Sequence, residues 1–296
     1  MSLVPKHIKN LKPYTAGKSI EEVKREKNIS NIIKLASNEN PLGPSLIAIS
    51  ETKKTLSSCH RYPDSSGYKL RLALANRFSV NINNVIIGSG SEGIMSNIMR
   101  TFLRSDDEIL TSANSFIGFR VLANASGNKC NWIPMKNDKY DLKKISKSIN
   151  SNTKIIYLAN PDNPTGTYFT KEVFDDFMHT VPDRILVILD EAYYEYAAHI
   201  KDYPDSMLYR YDNVITLRTF SKIYGLAGFR IGYGFAHDEL IKYLMSVKLP
   251  FEPSIPAQIV ALNALEDDIH HSMSLENNRI GMDRMIKFID ECNFNY

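Results

Sequence analysis

Between residues 85 and 235 short apolar runs alternate with longer amphipathic stretches, and this alternation restricts the fold more than any other feature. The runs Val85 to Gly88, Glu108 to Ser112, Lys129 to Pro134, Lys154 to Ala159, Ile185 to Asp190, Val214 to Thr219 and Ile231 to Phe235 read as strands. Helical spacing separates the first five, over Ser91 to Leu103, Phe116 to Ala125, Leu142 to Ile149 and Lys171 to His179. Strand and helix in alternation predict an α/β fold, a mostly parallel sheet sandwiched by helices. Runs such as Ile185 to Leu189 suit strands buried on both faces.

Upstream, Ile32 to Ala36 reads as a short strand, Ser45 as the cap of a helix reaching Leu56, and Tyr68 to Phe78 as a helix with Leu70, Leu74 and Phe78 on one face. Downstream the pattern becomes helical, over Asp238 to Lys248, Ile255 to Leu265 and His270 to Glu291, with Pro250, Pro253 and Pro256 marking a joint. The expected division is a large domain over residues 45–244 and a smaller α+β domain formed by 1–44 and 245–296.

Composition narrows the class. The 296 residues are 43% hydrophobic, enough for a substantial core. A net charge of +3 without a Lys/Arg block suits small anionic ligands and gives no footing for nucleic acid. Cys59, Cys130 and Cys292 are isolated, so neither a disulfide frame nor a metal site is expected. Met1 to Asn10 lacks the apolar segment of a signal peptide, and no apolar run is as long as a membrane span, which makes a cytoplasmic protein the expectation.

Three stretches carry chemistry. In Gly88-Ser89-Gly90-Ser91-Glu92-Gly93 the glycines lie between a strand and a helix. A dinucleotide site would place an acid at the end of the second strand, yet Asp106, Asp107 and Glu108 come before or at its start. The remaining readings are one phosphate held by backbone N–H groups at a helix N-terminus, or a structural tight turn. Asp190 ends an apolar strand, where α/β sheets open their ligand crevice; it is an ion-pair partner for the scaffold or a functional acid. Tyr193, three residues on, can reach the same crevice. Lys222, in the stretch Arg218 to Arg230, is a solvated loop cation or an amine that forms an imine with an aldehyde. Arg230 offers a fork suited to a phosphate dianion. Amine, acid and phosphate cradle together describe pyridoxal 5'-phosphate (PLP), whose ring serves as electron sink when a carboxylate holds its nitrogen protonated.

Asp190-Glu191-Ala192-Tyr193 and the stretch Arg218 to Arg230, with Asn38-Glu39-Asn40-Pro41-Leu42-Gly43-Pro44 and Asn160-Pro161-Asp162-Asn163-Pro164-Thr165-Gly166, occur in the order found in PLP enzymes of the aspartate-aminotransferase fold, fold type I. From Pro13 onward the chain resembles the histidinol-phosphate aminotransferases among them. The resemblance implies transamination between L-histidinol phosphate and 2-oxoglutarate, giving imidazole acetol phosphate and glutamate, in histidine biosynthesis. It implies that Lys222 binds the cofactor and shuttles a proton, that Asp190 pairs with the ring nitrogen, and that Asn163 and Tyr193 hydrogen-bond the ring oxygen. Gly90, Ser91 and Glu92 would offer backbone to the phosphate, with the side chains of Ser221, Arg230 and Thr219, and Phe116 would stack on the ring. Tyr62 would reach the neighbouring subunit's cofactor, implying a homodimer, and Tyr14 and Asn38 would line the substrate pocket. No metal is implied.

The family continues past the position of Tyr296, so the resemblance also implies a small domain incomplete at its C-terminus, lacking the arginines that grip the substrate anion. Arg279 and Arg284, on an expected helix, are not assigned that role. Three competing readings follow: an aromatic aminotransferase, a phospho-amino-acid decarboxylase, and a non-catalytic PLP-binding fragment.

Overall fold

The computed structural model describes residues 3–15, 17–207 and 211–294. Among these residues seven strands form one sheet: β1 (Val85–Gly88), β2 (Glu108–Ser112), β3 (Lys129–Ile133), β4 (Thr153–Ala159), β5 (Leu186–Asp190), β6 (Val214–Thr219) and β7 (Gly232–Phe235). Their order is β1-β7-β6-β5-β4-β2-β3. The pairs β3–β2, β2–β4, β4–β5 and β5–β6 are parallel, while β7 runs antiparallel to both β6 and β1. This is the mostly parallel sheet that the alternating pattern predicts, with one reversed strand. β1, β2, β5, β6 and β7 are buried along their whole length, as strands covered on both faces must be.

The expected strand at Ile32 to Ala36 does not form. Among the described residues no ladder partner reaches this segment, and Ile33 and Leu35 are 88% and 89% exposed. Apolar residues alone do not make a strand when no edge is offered to pair with. Upstream lie the short helices Lys6–Lys9 and Ile20–Lys27. Ser45 caps the helix Leu46–Thr55 as expected, its hydroxyl accepting from the Ala48 N–H at 3.2 Å.

Helices cover both faces. On one, Ile94, Met95 and Ile98 of the helix Gly90–Phe102 pack with Ile86, Ile188 and Leu217. On the other, Ala48, Leu70 and Leu74 share a core with Phe220, Leu226 and Tyr233 and with Ala257, Val260 and Ala264 of the helix Ile255–Leu265. Residues on either side of position 245, the expected domain boundary, therefore contribute to one apolar cluster. The following helix, Asp268–Glu291, buries only Ser274.

Between β6 and its covering helices lies a dry patch of charge. Arg218 and Glu191 are both fully buried and paired at 2.8 Å. The guanidinium also meets Asp205 at 3.2 Å and lies 3.3 Å over the Tyr194 ring. Glu195 lies within the same field; burial pushes its carboxyl up to about 7, against the pull of Arg218, and its Oε1 has no hydrogen-bond partner among the described residues. A carboxyl whose pKa is higher folded than unfolded favours folding fully below pH 4.5, and that contribution is lost as pH rises through about 7. Replacing Glu195 by Gln should therefore leave stability near pH 4 unchanged and raise it at pH 8 by ~3 kcal/mol. Urea denaturation at the two pH values checks this; an equal difference at both would refute the assignment.

Candidate active site

The carboxyl ends of β4, β5 and β6 and the turn after β1 surround a cleft of about 270 Å³. Its lining includes Gly90, Ser91, Glu92, Phe116, Asn163, Asp190, Tyr193, Thr219, Ser221, Lys222, Arg230 and Asn38. Each was singled out from the sequence, and the fold brings them to one place. Tyr14 and Tyr62 are not in the lining: Tyr14 is 58% exposed, and Tyr62, 78% exposed, stacks on Phe251 with ring centroids 4.2 Å apart.

Pleating divides the work at the end of β5. Successive side chains on a strand point to opposite faces. Asp190 lines the cleft, while Glu191 turns the other way, to Arg218. On β6 the same alternation sends Arg218 behind the sheet and Thr219 into the cleft. Thr219 then shapes the lysine loop. Its hydroxyl accepts from the Ser221 N–H at 3.1 Å and donates to Ser221 Oγ at 3.0 Å.

Asp190 is 4% exposed. Burial pushes its carboxyl up to about 6, although the Tyr157 hydroxyl, the Ala192 N–H and the Lys222 charge all act to lower it. The Lys222 amine is shifted down by loss of water and by Arg230, with Asp190 opposing, so more of it is neutral and nucleophilic than in a solvated lysine. It donates to the Asn38 carbonyl at 3.2 Å. Asn38 Nδ2 donates to the Tyr193 hydroxyl at 2.8 Å, and Asn40 Nδ2 donates to the Ile223 carbonyl at 2.7 Å. The N-terminal segment is thus laced across the mouth of the cleft. Gly225 makes this possible: its φ is +67°, and a Cβ there would lie 2.2 Å from the Gly43 carbonyl oxygen.

At the opposite wall the helix Gly90–Phe102 points its N-terminus into the cleft. Arg230, at φ 53°, holds Glu92 across the mouth at 3.1 Å. Gly90 adopts φ +76°, and a Cβ there would lie 2.9 Å from Arg230 Nη2, so a side chain would strain the turn and push the guanidinium aside. Free N–H groups, a helix dipole and a guanidinium on one concave surface form an anion cradle.

The sequence reading missed Tyr157. Its hydroxyl donates to Asp190 Oδ2 at 2.8 Å beneath the cleft floor, and its ring stacks on Phe119 at 3.8 Å. It also missed the chain from Tyr140 to Ser115, at 2.5 Å, and from Ser115 to Asp162, at 2.7 Å, which braces the Asn160 to Gly166 loop. Among the described residues no helix is long and apolar enough to cross a membrane.

The signature of aminotransferase class I and II matches residues 30–292. A histidinol-phosphate aminotransferase of Anaeromyxobacter sp. strain Fw109-5 is 45% identical over 277 residues, which is 93% of this chain and 76% of that protein. One from Moorella thermoacetica is 40% identical over 292 residues, 98% of this chain and 75% of its own length. The crystal structure of histidinol-phosphate aminotransferase from Sinorhizobium meliloti in complex with pyridoxal-5'-phosphate superposes with a TM-score of 0.89 at 26% identity, covering 98% of this chain and 78% of that one. With the signature spanning most of its length, this chain belongs to the class I and II aminotransferases.

Proposed function

We propose that the cleft binds PLP and that the enzyme transfers an amino group from L-histidinol phosphate to 2-oxoglutarate, in histidine biosynthesis. The carrying observation is the pairing, within one cleft, of a lysine amine with lowered pKa and a buried carboxylate, opposite a glycine-lined anion cradle. The donor set fits the cofactor: Asp190 for the ring nitrogen, Asn163 and Tyr193 for the ring oxygen, Phe116 for the ring face, and Gly90 to Glu92, Ser221, Thr219 and Arg230 for the phosphate. When bound, PLP supplies an aldehyde that captures amines and a ring that accepts the electron pair left by a departing proton. The relatives, histidinol-phosphate aminotransferases by name, support the choice of amino donor.

The protein's own part is to place and to move protons. In this reading the Lys222 amine would take the proton from the substrate's α-carbon at its Nζ and deliver it to the carbon that the cofactor's aldehyde provides, two bonds away. Asp190 keeps a charge-assisted hydrogen bond on the ring nitrogen. Tyr193, already bonded to Asn38, tunes the ring oxygen. Tyr14 and Asn38 belong to the substrate pocket in this reading, and Tyr62 serves the second subunit of a homodimer. Its exposed ring is available for that role. A cytoplasmic location completes the proposal.

Purified protein with PLP should develop the visible band of a lysine-bound cofactor, lose it on addition of L-histidinol phosphate, and regain it with 2-oxoglutarate. A band indifferent to histidinol phosphate would refute the substrate. Lys222→Ala should lower turnover by about 10²–10⁴-fold. Glu92→Gln removes a carboxylate beside the anion cradle and should tighten PLP binding severalfold, measured by fluorescence titration, because the phosphate dianion no longer meets a like charge.

A further inference from the structure

Asp190 is held by a residue outside the cleft. Tyr157 lies on β4, two residues before Ala159, and Ala159 is paired in register with Asp190 of β5. Residues two apart on a strand share a face, about 6.6 Å apart. Ala159 and Asp190 both line the cleft, so Tyr157 lies on the same face one step deeper. A side chain no larger than Ala159's leaves room for the phenol to reach up from below. The hydroxyl meets Asp190 Oδ2 at 2.8 Å, while Oδ1 accepts the Ala192 N–H at 3.2 Å.

The ring is fixed before any ligand arrives. Tyr157 and Phe119 are fully or almost fully buried and stack at 3.8 Å with an angle of 9° between planes. Such packing leaves the phenol one rotamer, so its O–H is aimed without an ordering cost. Among the described residues its hydroxyl makes no second hydrogen bond, so the phenol proton has one acceptor, the carboxylate. A donor with one acceptor favours the ionised form of that acceptor.

We infer that Tyr157 is a positioning residue for Asp190: its O–H keeps the carboxylate ionised and turned toward the cleft in a place where burial favours the neutral acid. The inference rests on the reading of the cleft as a PLP site, where an ionised Asp190 is what holds the ring nitrogen protonated. Other groups face Asp190 as well. Lys222, from the loop after β6, favours its charge; Glu92, from the helix Gly90–Phe102, opposes it. Tyr140 and Tyr193 also lie within its field. Among the described residues, Tyr157 is the one whose side chain hydrogen-bonds the carboxylate directly.

The test begins without cofactor. The Asp190 carboxyl carbon is followed by ¹³C NMR against pH in cofactor-free protein, with Asp190→Asn supplying the assignment. Tyr157→Phe keeps the stacked ring and removes only the hydroxyl, so the Asp190 midpoint should rise by about one pH unit. Fluorotyrosine incorporated at 157, a stronger donor, should move it down. Phe119→Leu loosens the stack but keeps the hydroxyl, and serves as the control for packing. With PLP added, Tyr157→Phe should bind the cofactor about tenfold more weakly, following the same shift. A midpoint unmoved by both Tyr157→Phe and fluorotyrosine would overturn the inference, and should Tyr157→Phe not fold, the fluorotyrosine protein decides alone. If the parent protein takes up no PLP, the cofactor reading falls while the Asp190 titration still decides the role of Tyr157.

Discussion

The fully buried pair of Arg218 and Glu191 fixes the rest of the site. It joins the ends of β5 and β6 behind the sheet, and because strand side chains alternate, the residues beside it face forward. Asp190 precedes Glu191 and Thr219 follows Arg218, so one ion pair at the back orients an acid and a hydroxyl at the front. Breaking a buried pair strands a charge in a dry setting, with a cost typically of ~3–5 kcal/mol. Asp205 and the Tyr194 ring share the guanidinium's charge and so spread that dependence over neighbouring elements.

The front of the cleft is assembled from distant parts of the chain. Asn38 touches both Lys222 and Tyr193, and Asn40 links the backbone after Lys222 to Ser274. A segment with no regular structure thereby gains a fixed course from side-chain amides, which supply the hydrogen bonds a strand would have taken from its neighbours. The segment can be ordered at Asn38 to Asn40 while Ile33 and Leu35, a few residues earlier, stay exposed.

Much of this was legible from local pattern. Doubly buried strands announce themselves as apolar runs, and strand ends carry the site residues because α/β sheets open at their carboxyl edge. The expected boundaries of β1, β2 and β6 coincide with the observed ones. What was illegible depends on register. Tyr157 sits inside the apolar run Thr153–Ala159 and looks like any core aromatic until the pairing of Ala159 with Asp190 sets its hydroxyl beneath the acid. Nothing in the sequence around Glu195 and Arg218 marks them as buried, since burial is a property of the packed helices and not of the residues. Ile32 to Ala36 failed for the same reason in reverse: its composition suits a strand, but the sheet has no edge beside it.

The reversed strand has a consequence for how the protein is made. Among the described residues β1 has one neighbour in the sheet, β7, which is the last of the seven strands in chain order. Its reversal brings Gly232 level with both Gly88 and Thr219, so Arg230 arrives at the same edge as the turn after β1 and the lysine loop. A growing chain therefore holds β1 without a partner while some 140 residues are synthesised, and the two walls of the anion cradle cannot meet until β7 has emerged from the ribosome. The ability to bind a phosphate in this cleft is a late event in the life of each molecule, and it reports that the sheet has closed.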